Sequence, residues 1–130
     1  MKPRKRRVRK EAGRNSFEQK IMTSLDEAGA KYTYESMKIK YQKPPSNYTP
    51  DIILDNGIIV ELKGYFDAED RAKHLLIQTQ RPDLDIRFVF YKANTKIHKS
   101  SLTTYGSWAT KHGFKWAEKE VPDEWIAERH

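Results

Sequence analysis

The chain has 130 residues, of which 37% are hydrophobic, and this size and composition fit a single domain with one modest core. It contains no cysteine, which excludes disulfides and thiolate metal sites and fits a reducing compartment. No apolar run reaches the roughly 20 residues of a membrane span, and none at the N-terminus has the pattern of a secretory signal. We therefore expect a cytoplasmic protein with no membrane partner.

The net charge of +7 is concentrated at the N-terminus. Residues 1–10 contain seven Lys and Arg and no acid, which leaves 18 of the 25 basic residues against 18 acidic residues in the rest of the chain. We predict that residues 1–13 form a disordered basic arm and that residues 14–130 form the domain. The arm is either a solubilising or nuclear-address tail or a phosphate-binding segment. Its basic residues are Lys2, Arg4, Lys5, Arg6, Arg7, Arg9 and Lys10.

The first predicted helix begins at Ser16, which forms a capping box with Gln19, and it ends at Gly29. Its apolar positions recur at helical spacing, at Phe17, Ile21, Leu25 and Ala28. Glu18 lies in the first turn, where a carboxylate interacts favourably with the helix dipole. That interaction explains Glu18 adequately from the residues alone.

Residues 32–41 alternate imperfectly between apolar and polar positions and predict one long strand. The stretch that follows, residues 42–50, contains three prolines, which exclude a helix and a central strand. Pro44 and Pro45 hold the chain extended and stiff. This stretch is therefore either a surface loop or a bridge between subunits.

The rest of the chain predicts a hairpin followed by alternating helices and strands. The elements are a hairpin at 51–63, a helix capped by Asp67 and ended by Arg81-Pro82, an interior strand at 86–91, a short helix at 104–112, a strand at 114–117 and a helical turn at 121–126. Together with the first helix and strand, this order predicts an α/β fold, an α+β mixed sheet flanked by helices.

The hairpin carries carboxylates in unusually apolar surroundings. Side chains alternate along a strand, so Ile58, Val60 and Leu62 share one face, which we predict to be the core face. Glu61 and Lys63 then project together from the opposite face.

The length of the hairpin loop decides whether Asp51 joins them. A two-residue turn at Asn56-Gly57 places Asp51 opposite Leu62, whereas a three-residue loop at residues 55–57 places it opposite Glu61. Gly57 suits the left-handed position that the longer loop requires. We choose the three-residue loop because it brings the two carboxylates together.

Two adjacent carboxylates repel each other unless a cation lies between them. Mg²⁺ suits the pair because it takes oxygen ligands and retains waters and phosphate oxygens. The alternative is that Asp51 is a turn acid and that Glu61 and Lys63 form a surface ion pair worth under about 1 kcal/mol. Pro-Asp followed after nine residues by Glu-x-Lys on consecutive strands favours the metal hypothesis, with Lys63 orienting a water or stabilising charge on phosphorus.

These motifs resemble those of the restriction-endonuclease-like nucleases, whose pattern is Pro-Asp followed by Asp/Glu-x-Lys. The resemblance is closest to the phage endonuclease I family and runs from about residue 14 to 126. The segments that carry it are Ser16-Phe17-Glu18-Gln19-Lys20, Ser46-Asn47-Tyr48-Thr49-Pro50-Asp51, Asn56-Gly57-Ile58, Val60-Glu61-Leu62-Lys63-Gly64, Asp70-Arg71-Ala72-Lys73-His74-Leu75-Leu76-Ile77, Asp83-Leu84-Asp85-Ile86-Arg87, Tyr105-Gly106, Lys111-His112-Gly113 and Glu124-Trp125-Ile126.

The resemblance implies a restriction-endonuclease-like fold and a specific site. Asp51 and Glu61 would bind Mg²⁺ or Mn²⁺, Lys63 would assist the attacking water, and Glu18 would complete the site. It also implies an intertwined, domain-swapped homodimer joined by a bridge at about residues 40–48. Glu18 would then act on the site of the other chain.

The function implied by the resemblance is metal-dependent cleavage of four-way (Holliday) junctions and other branched DNA, in the host cytoplasm and with no small-molecule substrate. Because the domain is formally neutral, we expect it to recognise DNA shape through phosphate contacts. The candidate contacts outside the arm are Arg14, Lys38, Lys40, Lys43, Lys99 and His98. The alternatives are a nuclease acting on flaps, mismatches or duplex, and a catalytically inert DNA-binding module of the same fold.

Overall fold

The computed structural model describes residues 12–41 and 46–129, and within these segments no helix is long and apolar enough to cross a membrane. The helices are α1 (Ala12–Glu27), α2 (Ala68–Gln80), α3 (Tyr105–Lys111) and α4 (Asp123–Ala127). The strands are β1 (Tyr32–Tyr34), β2 (Ile39–Tyr41), β3 (Ser46–Tyr48), β4 (Ile52–Leu54), β5 (Ile59–Lys63), β6 (Ile86–Phe90) and β7 (Trp116–Glu118).

Five of the strands form a mixed sheet in the order β1-β4-β5-β6-β7. Its first three strands are antiparallel, and β5, β6 and β7 run parallel. The crossover from β5 to β6 contains α2, as parallel neighbours require. Strands β2 and β3 form a separate antiparallel pair. The predicted mixed sheet flanked by helices is confirmed.

Helices cover both faces of the sheet, and each face has its own apolar cluster. On one face Ile77 of α2 and Trp108 of α3 pack with Phe88 of β6. On the other face Ile21 of α1 and Trp125 of α4 pack with strand residues of β4, β5 and β6. Covering both faces keeps the central strands dry, and all five residues of β5 and of β6 are buried.

The hairpin of β4 and β5 has the register of the three-residue loop. Ile52 pairs with Val60 and Ile53 with Ile59, and extending this register places Asp51 opposite Glu61. Gly57 has a φ of 94°, in the left-handed region, and its N–H donates to the carbonyl of Leu54 at 2.9 Å. The predicted loop is confirmed. The predicted core face of Ile58, Val60 and Leu62 is confirmed, and the opposite face of β5 is buried as well, under α2.

Two boundaries in the first third of the chain differ from the prediction. Helix α1 begins at Ala12, so the predicted cap at Ser16 is wrong and residues 12 and 13 belong to the helix rather than to the arm. The Ser16 side chain is exposed, where serine is tolerated within a helix. The end is as predicted, since Gly29 has a φ of 72° and Ala30 donates to the carbonyl of Leu25 at 3.0 Å.

The long strand predicted at residues 32–41 is two short strands in two different sheets. Glu35 has a φ of 48° and interrupts the extended backbone after β1. The chain then leaves the five-stranded sheet, and β2 pairs with β3 instead. The last strand is also shifted, to Trp116–Glu118, because Phe114 is buried in the core before the strand begins.

The C-terminal helix is attached to the sheet by an ionic cluster that we call the Arg87 clamp, made of Arg87, Asp85 and Glu128. The Arg87 side chain is buried, and its guanidinium donates to Asp85 at 2.7 and 2.9 Å and to Glu128 at 2.7 and 2.9 Å. The same guanidinium lies 5.3 Å from the ring of Trp125 in α4. Asn56 adds hydrogen bonds to the carbonyls of Trp125 at 2.9 Å and Glu128 at 2.7 Å.

Candidate active site

The charged residues predicted from the hairpin come together where β5 ends. Asp51 directly precedes β4, and Glu61 and Lys63 lie on the same face of β5. Their exposed fractions are 8%, 3% and 8%. Burial of three ionisable groups at one place is costly unless they are paired or bind a ligand, so this cluster is the first candidate for a functional site.

The two carboxylates are fixed by hydrogen bonds from their own hairpin and from β3. The hydroxyl of Tyr48 donates to Glu61 Oε2 at 2.7 Å, and the backbone N–H of Asp51 donates to the same oxygen at 3.2 Å. The backbone N–H of Leu62 donates to Asp51 Oδ2 at 2.9 Å. Each carboxylate is therefore oriented by the strand opposite its own, as the three-residue loop requires.

The charges at this site do not balance at Asp51. Burial and the neighbouring Glu61 carboxylate raise the pKa of Asp51 well above its usual range, and Glu18 adds to the effect. The hydrogen bond from Leu62 and the charge of Lys63 act in the opposite direction without cancelling it. The pair thus favours holding a proton or a cation.

Lys63 is held between two acids. Its ammonium nitrogen lies 3.0 Å from Asp70 Oδ2 and 3.5 Å from Glu61 Oε1. Burial lowers the pKa of Lys63, but the surrounding carboxylates raise it, and the net direction is upward. Asp70 was not among the predicted site residues, because its place in the first turn of α2 explains it equally well as a helix-dipole carboxylate.

Glu18 lies beside this cluster and is 4% exposed. The hydroxyl of Tyr34 donates to Glu18 Oε1 at 2.5 Å, and burial together with this hydrogen bond raises the pKa of Tyr34. Here Glu18 and Asp51 belong to one chain. The central residues of the proposed bridge, 42–45, lie outside the described residues, so the exchange of Glu18 between two chains stays a prediction.

The carboxylates open into a cavity of about 1100 Å³. Besides the acids and Lys63, its lining includes the basic residues Lys20, Lys38 and Lys73 and the aromatic residues Phe17, Tyr65 and Tyr91. Tyr91 directly follows the end of β6, and Tyr65 comes two residues after the end of the parallel strand β5. The cavity therefore has acids at its base and cations and rings around them.

The predicted DNA contacts have different outcomes. Lys38 lines the cavity, and Lys40, His98 and Lys99 are exposed but are not among the described residues that line it. Lys43 and the basic residues of the arm lie outside the described part of the chain, and the side chain of Arg14 is not described. Lys20 and Lys73 were missed, since exposed lysines on helices give no sequence signal of their own.

His74 is a further residue that sequence reasoning missed. It lies on the inner face of α2, one turn before Ile77, and it is fully buried. Its Nε2 is 3.7 Å from Glu61 Oε1, and its ring meets the ring of Tyr48 edge-on at 5.6 Å. Burial and the charges of Lys63 and Lys73 hold the pKa of His74 well below its usual value. A histidine at an apolar helical position was the available signal.

Protein side chains at this site supply only part of the ligand set that a hard divalent cation needs. No group of three or more His, Asp or Glu side chains within residues 12–41 and 46–129 is arranged to hold a metal by itself. Asp51 and Glu61 are two adjacent buried carboxylates, and the charge of Glu18 further raises the pKa of Asp51. Mg²⁺ suits such a site, since it commonly takes one or two carboxylates and completes its shell with water and substrate phosphate.

A buried carboxylate pair beside a lysine, at the base of a cleft lined by cations, is typical of enzymes that hydrolyse phosphodiesters. The sequence profile of the phage endonuclease I family matches residues 1–130, and the chain belongs to this family. It is 50% identical to the protein named Endonuclease I of Escherichia phage T7 over 119 residues, which are 90% of this chain and 80% of that protein. It is 47% identical to Endodeoxyribonuclease 1 of Enterobacteria phage T3 over 113 residues, 85% of this chain and 74% of that protein.

Proposed function

We propose that this endodeoxyribonuclease is a metal-dependent, structure-selective enzyme that resolves four-way DNA junctions. The observation that carries the proposal is the buried pair of Asp51 and Glu61 beside Lys63 at the base of the cleft. The names of the relatives, Endonuclease I and Endodeoxyribonuclease 1, support an endonuclease that acts on DNA. Those names specify neither branched DNA nor a metal. Branched DNA as the substrate, and Mg²⁺ as a cation for which Mn²⁺ can substitute, are part of the proposal.

In this proposal Asp51 and Glu61, with Glu18, hold the divalent cation. When bound, Mg²⁺ supplies a Lewis acid for the scissile phosphate and lowers the pKa of a bound water. Tyr48 and the backbone of Asp51 keep the Glu61 carboxylate in place before the cation arrives. Preorganisation of this kind avoids reorganising the site during the reaction.

Lys63 has the second role in the proposed mechanism. Asp70 and Glu61 hold its ammonium at the base of the cleft, where it faces the position of a phosphate. From there it orients the attacking water by hydrogen bonding and stabilises the negative charge that develops on the phosphoryl oxygens. In the metal-free site the neighbouring carboxylates raise the pKa of Lys63, which favours the role of a cation over that of a general base.

The selectivity for branched DNA would come from shape. Lys20, Lys38 and Lys73 line the cleft and are suited to phosphate contacts, which position a duplex without reading its bases. A junction offers two bent backbones that such a surface can hold together, whereas a linear duplex must be deformed to fit it.

We also infer a domain-swapped homodimer with a restriction-endonuclease-like fold. Strands β2 and β3 pair Ile39 with Tyr48, Lys40 with Asn47 and Tyr41 with Ser46. Two copies of residues 39–48, each fully extended, would form the same pairs between chains, because this register is symmetric about its centre. The stiff Pro44-Pro45 pair at that centre favours the extended form over a tight turn. The exchange would carry α1 and Glu18 to the partner.

The junction proposal is tested with a radiolabelled four-way junction and its separate linear arms at equal concentration, in Mg²⁺, Mn²⁺ or chelator. We expect paired cuts near the branch point that require metal, and far slower cleavage of the arms. Equal rates on junction and arms would favour the duplex nuclease, and no cleavage with either metal would favour the inert binding module.

The swap is tested by co-expressing Glu18→Gln and Glu61→Gln chains and purifying the mixed dimer. With the swap, one site of the mixed dimer carries both changes and the other carries neither. We expect this dimer to nick a cruciform plasmid, although each variant alone does not. A mixed dimer as inactive as its parents would show that Glu18 and Glu61 of each site come from the same chain.

A further inference from the structure

His74 is buried without any hydrogen bond to its ring. It is 0% exposed, and among the described residues neither Nδ1 nor Nε2 has a partner. Its surroundings are aromatic, with the rings of Tyr48 and Phe88 meeting it edge-on at 5.6 and 5.0 Å. A buried polar group without a partner costs about 1–3 kcal/mol, so an apolar side chain of similar volume would be more stable at this position. Stability alone does not account for a histidine here.

The His74 ring faces a carboxylate oxygen of Glu61, a proposed metal ligand. Nε2 lies 3.7 Å from Glu61 Oε1, just beyond hydrogen-bond distance. The other oxygen, Oε2, already accepts hydrogen bonds from Tyr48 and from the backbone of Asp51. Oε1 has longer contacts, with Lys63 at 3.5 Å and with His74 at 3.7 Å. One oxygen of Glu61 is thus fixed, and the other is only loosely held.

We propose that His74 is a positioning residue that donates its Nε2–H to Glu61 Oε1 and fixes the rotation of the carboxylate when the site takes up a divalent cation. This inference rests on the proposed function, in which Glu61 is a metal ligand. Tyr48 and His74 would then hold the two oxygens from two sides. His74 touches neither substrate nor metal in this arrangement and acts only through Glu61.

The ring suits this role as a neutral imidazole, the form that its complete burial favours. Lys63 already supplies a cation next to Glu61, and a second one would compete with the metal for the carboxylate. A neutral imidazole donates one hydrogen bond without adding charge. The aromatic neighbours fix the plane of the ring, so its direction of donation is defined before the metal binds.

Three substitutions of His74 separate positioning from packing. His74→Leu removes the donor and keeps the bulk, His74→Gln returns an amide nitrogen close to the position of Nε2, and His74→Asn returns one close to Nδ1. We expect the Leu variant to unfold at the same temperature as the wild type or at a higher one. We expect its affinity for Mn²⁺ to fall by roughly 10–100-fold, the range seen when a residue supporting a metal ligand is removed.

The cleavage rate under saturating DNA should fall with the metal affinity, while the KM for the junction stays within about twofold, because His74 does not touch DNA. The Gln variant should recover most of both losses, and the Asn variant should not. For the full chain, calorimetric titration measures the affinity for Mn²⁺, thermal unfolding measures stability, and single-turnover cleavage measures the rate. Steady-state cleavage at varied junction concentration gives the KM. A Leu variant that binds Mn²⁺ as the wild type does, or an Asn variant that equals the Gln variant, would overturn the inference.

A separate measurement keeps this inference distinct from the proposed function. ¹⁵N NMR of the histidine ring in the metal-free protein reports which nitrogen carries the proton, and we expect the Nε2–H tautomer. The Nδ1–H tautomer would overturn the contact with Glu61 even if the enzyme cleaves junctions. A wild-type protein that neither binds Mn²⁺ nor cleaves DNA would instead overturn the proposed function.

Discussion

The molecule contains two ionic clusters, each built around buried charged side chains, that differ in how fully their charges are paired. In the Arg87 clamp one cation meets two carboxylates through four hydrogen bonds of 2.7–2.9 Å. In the active-site cluster Glu61 accepts hydrogen bonds, yet the pKa of Asp51 stays raised and the His74 ring has no hydrogen-bond partner among the described residues. The charges of the clamp are paired within the protein, whereas those of the active-site cluster are not fully paired. Under the proposed function, the first cluster contributes stability and the second forms a binding site for a cation.

The largest expected difference is in activity. Glu61→Gln removes a proposed metal ligand and should lower the single-turnover rate by on the order of 10³-fold or more. The same change relieves repulsion with Asp51, so thermal unfolding should occur at an unchanged or higher temperature. Glu128→Gln in the clamp is the matched control and should leave the rate within about twofold. Comparable losses of rate in both variants would contradict the division between the two clusters.

The clamp should give the largest effect on stability. Arg87→Leu removes the cation that Asp85 and Glu128 share and also its contact with Trp125. We expect a loss of about 1–2 kcal/mol in the free energy of unfolding, measured by urea denaturation, because water partly solvates Asp85 and Glu128, whose side chains are 35% exposed. The cleavage rate per folded molecule should not change, and a rate that falls in proportion to metal affinity would show that the clamp supports the site.

Asp70→Asn tests whether the ion pair with Asp70 positions Lys63, and it should lower the cleavage rate less than Glu61→Gln does. The ammonium loses its 3.0 Å ion pair and keeps the longer contact with Glu61. We expect a fall of about 10-fold in the rate, with Mn²⁺ affinity near that of the wild type, because Asp70 supports the lysine rather than a metal ligand. Glu69→Gln serves as the control, since it removes the other, exposed carboxylate in the first turn of α2 without touching Lys63. A rate equal to that of the wild type would show that Asp70 is only a helix-dipole carboxylate.

The smallest predicted effect is a pH dependence of stability in the metal-free protein. Burial and Glu61 raise the pKa of Asp51 in the folded state, so above the ordinary aspartate value the folded protein binds more protons than the unfolded one. The contribution of Asp51 to stability should therefore fall as pH rises from about 4 through the raised pKa of Asp51. The lowered pKa of His74 acts in the opposite direction below about 6.5, so the difference between the wild type and Asp51→Asn, measured by thermal unfolding in chelator, isolates the contribution of Asp51. A wild-type stability that gains on that of Asp51→Asn as pH rises would contradict the assignment.

The sequence predicts the structure of the hairpin but not which side chains of α2 pack beside it. The loop length, the register and the meeting of Asp51 with Glu61 follow from strand alternation and from the φ that Gly57 supplies. Periodicity cannot show which side chains of α2 face the end of β5, because that depends on the angle at which the helix packs. His74 and Asp70 were therefore missed.

Two other differences have the same origin in long-range contacts. The break at Glu35 depends on which strand pairs with β1 and which with β2, and local alternation does not contain that choice. Arg87 is the charged residue of the otherwise apolar strand β6, and its pairing with Glu128 depends on where the C-terminal segment packs. Contacts between residues far apart in the chain determine these features, and short sequence patterns do not contain that information.

Calorimetric titration of Mn²⁺ into the wild type, the Glu61→Gln variant and the Glu128→Gln variant tests the central claim most directly. If the active-site cluster is the place that a divalent cation completes, the wild type and Glu128→Gln should bind Mn²⁺ with similar affinity and Glu61→Gln should lose that binding. Binding that is equal in all three proteins, or absent from the wild type, would contradict the account.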